Sequence, residues 1–192
     1  ETVRVELSNA YGHTPLQIGA AHLALAGDGA AILPGSDREL RFGGQRAVTI
    51  PPGAPVLSDP VALTVPDLAR LSVSLYLPQP TAPSTFHWEG LHSAWLAAGE
   101  RTADAALDDA TALQVRLFVS GIQVRRADAA GAVVALGDSI TDGAASTPGA
   151  DRRWPDQLAT RLAPRRVAVL NAGISGGRVL RDRMGRNALA RL

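Results

Sequence analysis

The feature that most constrains this chain is a change of hydrophobic period near residue 130. Upstream, apolar and polar residues alternate in short runs. Val3, Val5 and Leu7 interleave with Thr2, Arg4, Glu6 and Ser8, and Leu71 to Leu77 repeats the pattern before Pro78. Leu16 to Ala26 is a longer apolar run. Leu40-Arg41-Phe42 stops at Gly43-Gly44, and Ala47 to Ile50 stops at Pro51-Pro52-Gly53. Val115, Leu117 and Val119 alternate once more. A period of two broken by Gly and Pro predicts half-buried strands of an antiparallel β-sandwich, jelly-roll-like, over residues 1–126. Downstream, Ala132-Val133-Val134-Ala135-Leu136 is continuous, as in a parallel strand buried on both faces. Trp154, Leu158 and Leu162 recur every four residues, predicting an amphipathic helix with Pro155 in its first turn. Val167-Ala168-Val169-Leu170 reads as a second buried strand, and residues 178–192 read as a second helix. Strand, helix, strand, helix predicts the start of an α/β fold over residues 127–192.

The composition excludes several functions. At 192 residues and 46% hydrophobic content, the chain can build one ordinary domain or two small ones. Lys and Arg number 19 against 18 Asp and Glu, and the basic C-terminal stretch lacks interleaved aromatics, so no nucleic-acid footprint is expected. The absence of cysteine removes disulfides, zinc–thiolate sites and thiol nucleophiles. No apolar run approaches the roughly 18 residues of a membrane span. Alternation already under way at Glu1 predicts that the sequence starts inside a strand, with any export signal outside it.

The chemistry concentrates in two turns. Gly137-Asp138-Ser139-Ile140-Thr141-Asp142-Gly143 follows the first continuous strand, and Asn171-Ala172-Gly173-Ile174-Ser175-Gly176-Gly177 follows the second. In an α/β sheet the turns at the carboxyl ends of strands collect active sites, and the ends of neighbouring parallel strands share one edge. The two turns are therefore expected to converge. From spacing alone, two readings of the first turn stand side by side: Ser139 presented as a nucleophile, or a tight connection in which Asp138 or Ser139 caps a helix. The second turn lacks the full pattern of a phosphate-cradling loop.

The two blocks, in this order and on these turns, resemble the GDSL family, also called SGNH hydrolases. The resemblance runs from about residue 132 to the end and includes the Trp154-Pro155 helix start. The upstream strands resemble a subgroup with an N-terminal β-sandwich. The resemblance implies a flavodoxin-like three-layer α/β domain and a serine esterase without metal or organic cofactor. Ser139 would be the nucleophile, and the N–H groups of Ser139 and Gly173 would be oxyanion donors. It further implies a third donor from an Asn in a Gly-x-Asn-Asp block and a base His three residues after an Asp. Neither block is present. Asn187 is followed by Ala188, and no histidine follows His92.

Of the four histidines, His22 is expected to be packed or at the surface, and His87 and His92 flank Trp88. The expectation is that residues 1–192 are a piece of a longer protein. The remainder would be a second chain, a disordered region or a deletion, and residues from 131 onward would fold poorly alone. The substrate is expected to be a small-molecule or polysaccharide ester, and secretion is the expected location. Trp88 and Trp95 are expected in the core, with a sugar platform as the alternative. The competing function is a non-catalytic carbohydrate-binding or adhesion protein with a vestigial hydrolase half.

Overall fold

A computed structural model describes residues 1–183 and 185–191. They form two compact units, Glu1–Ala127 and Asp128–Leu192.

The first unit is β-rich. Thr2–Ser8 is its central strand, paired antiparallel with Val119–Arg125 on one side and with Pro55–Leu57 and Val61–Ala62 on the other. Its alternation does what the sequence predicts: Val3, Val5 and Leu7 are fully buried. Between the two short partner strands the ladder is patched by Ser58. Its N–H donates to the Val5 carbonyl at 2.9 Å, and its buried hydroxyl accepts the Val5 N–H at 2.9 Å. A three-stranded sheet runs Arg38–Glu39, Ala20–Leu25, Leu71–Tyr76. The apolar run from Leu16 divides at Gly19 into Leu16–Ile18, which pairs with Val48–Ile50, and Ala20–Leu25. Leu16, Ile18, Leu23, Leu40 and Ile50 join the valines in one core.

The run around Val115 is not one strand but two, Arg116–Leu117 and Val119–Arg125. Phe118 breaks it, with φ of 59° and a ring only 2% exposed. Its N–H donates to Thr85 and its carbonyl accepts from Ser8. A left-handed backbone costs a non-glycine residue about 1–2 kcal/mol; here burial of a phenyl ring offsets it. Two further departures concern Trp88 and Trp95, which are exposed rather than core. Trp95 lies on Ala94–Leu96, which among the described residues pairs only with Thr111–Leu113, so this ribbon is not part of a larger sheet there. Trp88 follows the two-residue strand Phe86–His87 and is equally outside the core cluster.

In the second unit, Gly131–Gly137 and Val167–Gly173 pair in parallel over seven residues, from Gly131 with Val167 to Gly137 with Gly173. Two helices lie between them in sequence, α1 (Ser139–Asp142) and α2 (Trp154–Leu162). The bounds of α2 follow the apolar spacing. Pro155 sits in its first turn, and Asp156 accepts from the Arg153 N–H at 2.9 Å to close the start.

The strands differ from expectation in burial. Only Ala135 is buried, whereas Val134 is 60% exposed and Leu170 49%. A parallel pair needs a layer on each face, and the described residues supply little beyond α2. The helix expected over residues 178–192 is also not formed among the described residues of that range, Met184 and Leu192 lying outside them. The Ala188 N–H donates to Arg178 and the Leu189 N–H to Val179, ten residues back in each case, so this segment closes a loop instead of an i to i−4 ladder. Asp182 accepts from both the backbone and side-chain N–H of Asn187, and such local side-chain bonds compete with helix. Among the described residues of the range a short 3-10 turn, Leu189–Arg191, is formed.

Candidate active site

Gly137 ends the first parallel strand and Gly173 the second, side by side in register. The chain therefore leaves the sheet twice at one edge, as predicted. Both glycines are dictated by crowding. A Cβ on Gly137 would lie 2.1 Å from the Thr141 hydroxyl oxygen. A Cβ on Gly173 would lie 2.3 Å from the Asp142 amide nitrogen and 2.8 Å from the Thr141 carbonyl carbon. Helix α1 thus packs directly on the backbone of the second strand's end.

After Gly137 the chain turns at Asp138, whose carboxylate accepts the Ile140 N–H at 3.0 Å and caps α1. The Asp138 carbonyl accepts from Asp142, and the Ser139 carbonyl accepts from Gly143 and Ala144. Ser139 is the first residue of the helix, partly exposed, while Thr141 and Asp142 behind it are buried. Ile140 projects outward, 73% exposed. The capping reading and the nucleophile reading of this turn are therefore compatible: Asp138 does the capping, leaving Ser139 at the solvent edge.

Two hydrogen bonds fasten the second turn to the first. The Ile174 N–H donates to the Gly137 carbonyl at 3.0 Å, and the Asn171 carboxamide N–H donates to the Thr141 carbonyl at 2.8 Å. The Asn171 carboxamide oxygen accepts the Gly173 N–H at 2.9 Å. Gly177 closes the turn by donating to Ile174. Arg191 reaches back to the Ala172 carbonyl at 2.7 Å.

Thr141 and Asn171 are the residues that sequence reasoning passed over. An Asn two residues before a glycine is the pattern of an Asx turn and could have pointed to the Gly173 contact. The reach to Thr141 has no such signal.

The histidines all lie in the first unit. His22 is buried there, its Nδ1 at 2.9 and 3.0 Å from the two carboxylate oxygens of Asp37. Asn187, the nearest sequence approach to a third donor, is occupied with Asp182 and with the Ala190 N–H. Among the described residues no group of three or more His, Asp or Glu could hold a metal ion. No helix of the described residues is long and apolar enough to cross a membrane.

No curated protein matches the chain. The resemblance read from the two blocks is met by a family model: residues 135–192, which carry both turns, match the GDSL-like Lipase/Acylhydrolase family.

Proposed function

We propose that this chain carries the nucleophile of an ester hydrolase working by acyl transfer, with Ser139 attacking the carbonyl carbon. The observation that carries the proposal is the pairing of Gly137 with Gly173, which sets a partly exposed serine beside a second turn within the segment that matches an acylhydrolase family.

In the proposed cycle a base takes the Ser139 proton as Oγ bonds to the carbonyl carbon. The resulting oxyanion is held by the N–H groups of Ser139 and Gly173, each donor of this kind contributing about 3–4 kcal/mol. Collapse expels the alcohol, which takes the proton back from the base. Water then repeats the attack on the acyl group and frees Ser139. A serine without a base is a weak nucleophile. No histidine follows His92, so residues 128–192 do not themselves hold a histidine base.

The finer architecture belongs to the same proposal. The second unit would be the opening of a flavodoxin-like three-layer domain, a reading supported by the apolar Val134 and Leu170 on its ladder. The first would be a β-sandwich that presents a polysaccharide ester to the hydrolase, supported by exposed Trp88 and Trp95. Secretion goes with such a substrate. Loss of binding to insoluble glycans on replacing both tryptophans by alanine is expected; unchanged binding would remove the polysaccharide reading.

The nucleophile is tested in the full-length protein with a fluorophosphonate probe and p-nitrophenyl acetate. Labelling on Ser139, and loss of both labelling and hydrolysis in Ser139→Ala, are expected. Hydrolysis that survives Ser139→Ala, or a label on another residue of an active protein, would overturn the assignment. Full hydrolysis-free glycan binding would favour the adhesion reading.

A further inference from the structure

Ser139 sits on a helix that cannot stand by itself. α1 is four residues long, and isolated helices shorter than about 12 residues are marginal in water. Its start is capped by the Asp138 carboxylate. Its end returns to Ser139: the Gly143 and Ala144 N–H groups both donate to the Ser139 carbonyl, at 2.9 and 2.8 Å. Whatever fixes the backbone at Gly143 therefore acts on Ser139 through a single hydrogen bond.

The side chain against that backbone is Arg153. A Cβ on Gly143 would lie 2.5 Å from the Arg153 Nε, 2.6 Å from its Cγ and 2.7 Å from its Cδ. The stem of the arginine thus crosses the place where any other residue would carry its side chain. Gly143 also has φ of 121°, a backbone that only glycine adopts without strain. Conformation and space both require glycine here, and the space is filled by Arg153.

Arg153 is held in turn at the start of α2. Its N–H donates to the Asp156 carboxylate at 2.9 Å, and its carbonyl accepts from the Gln157 N–H at 3.1 Å. Pro155, two residues on, is buried, and α2 packs on the strand Val167–Gly173. Arg153 therefore joins a nine-residue helix anchored on the sheet to the single turn that carries Ser139.

We propose that Arg153 is a positioning residue: from the start of α2 its stem braces Gly143 and so sets the aim of Ser139. This rests on the assignment of Ser139 as nucleophile. Arg153 touches no reacting atom in this scheme. The contact runs through Cγ, Cδ and Nε, so the length of the stem matters more than the charge at its end.

The test uses variants of the full-length protein, read by fluorophosphonate labelling of Ser139 and by kcat and KM on p-nitrophenyl acetate. Arg153→Ala removes the brace. Its kcat and labelling rate are expected to fall about 10- to 100-fold with KM within about twofold, as small misplacements of reacting groups do. Arg153→Lys and Arg153→Met keep an unbranched stem over Gly143, and each should label within about threefold of wild type. Arg152→Ala loses the same charge at an exposed neighbouring position and should label like wild type.

Wild-type labelling in Arg153→Ala, or an equal loss in Arg152→Ala, would overturn the role given to Arg153 while leaving Ser139 as nucleophile. If Arg153→Ala does not fold, Arg153→Met decides: a folded Arg153→Met that labels more than about tenfold slower than wild type would overturn it too. Failure of the underlying reading has a different signature: wild-type protein that is never labelled on Ser139.

Discussion

Gly173 accepts no side chain, because α1 already occupies the space where its Cβ would be. Gly173→Ala must push the Asp142 amide away and Ser139 with it. The labelling rate of Ser139 is expected to drop by about 100-fold or more. Gly131, at the start of the paired strand, has nothing within 4 Å of such a Cβ, so Gly131→Ala should label like wild type and serves as the control. A second residue-scale expectation concerns acid. The Asp182 carboxyl is held below the ordinary aspartate pKa, first by the Asn187 backbone N–H, then by its side chain, with Arg186 adding a smaller pull. A carboxyl with a lowered folded pKa contributes fully above its unfolded pKa and loses that contribution as pH falls through the folded value. The contact of Asp182 with Asn187 should therefore hold at neutral pH and loosen only in strong acid. The Asn187 amide resonance, followed against pH, should report this by moving below the usual aspartate range; a midpoint above that range would contradict it.

Among the elements, Thr2–Ser8 buries Val3, Val5 and Leu7 completely, and its inward residues should behave differently from the exposed ones on its partner. Leu7 is fully buried, and Leu7→Ala should cost about 2–5 kcal/mol in a denaturant titration of the first unit's signal. Val124 on the neighbouring strand is 42% exposed, and Val124→Ala should stay within about 1 kcal/mol. Elements like this one were legible because alternation is a local signal: each of Val3, Val5 and Leu7 points where its parity says. The helix at Trp154–Leu162 was legible for a similar reason, since spacing and Pro155 agree. What could not be read were choices made by distant partners. Phe118 takes a left-handed backbone only because Thr85 and Ser8 hold its peptide groups and the core takes its ring. The bonds of Ala188 and Leu189 depend on carbonyls ten residues back, at Arg178 and Val179. At the site, the convergence of the two turns followed from strand order, whereas the Asn171 clamp depends on how far one carboxamide reaches.

For the whole molecule, the two units should differ in how tightly they hold their amides. The first has a buried cluster in which Val3, Val5, Leu7, Leu23 and Leu40 are all fully covered. In the second, Ala135 is the one buried residue of a ladder whose Val134 and Leu170 are about half exposed. Protection against exchange follows local burial. Hydrogen exchange followed by mass spectrometry on residues 1–192 should show Thr2–Ser8 and Ala20–Leu25 exchanging at least about tenfold more slowly than Gly131–Gly137 and Val167–Gly173. Equal protection would mean that the parallel pair is stabilised by more than its visible packing.

The seven-residue ladder from Gly131 and Val167 to Gly137 and Gly173 also governs which insertions this chain could tolerate in evolution. Extra residues between Asp142 and Trp154, or around the turn at Ala163–Arg165, lengthen the crossover without altering where either strand ends. One extra residue inside either strand would slip the pairing by about 3.3 Å, more than the length of the bonds that join the two turns, and would also turn every outward side chain inward. Length variation among descendants of this sequence should therefore collect in the crossover and vanish from the ladder.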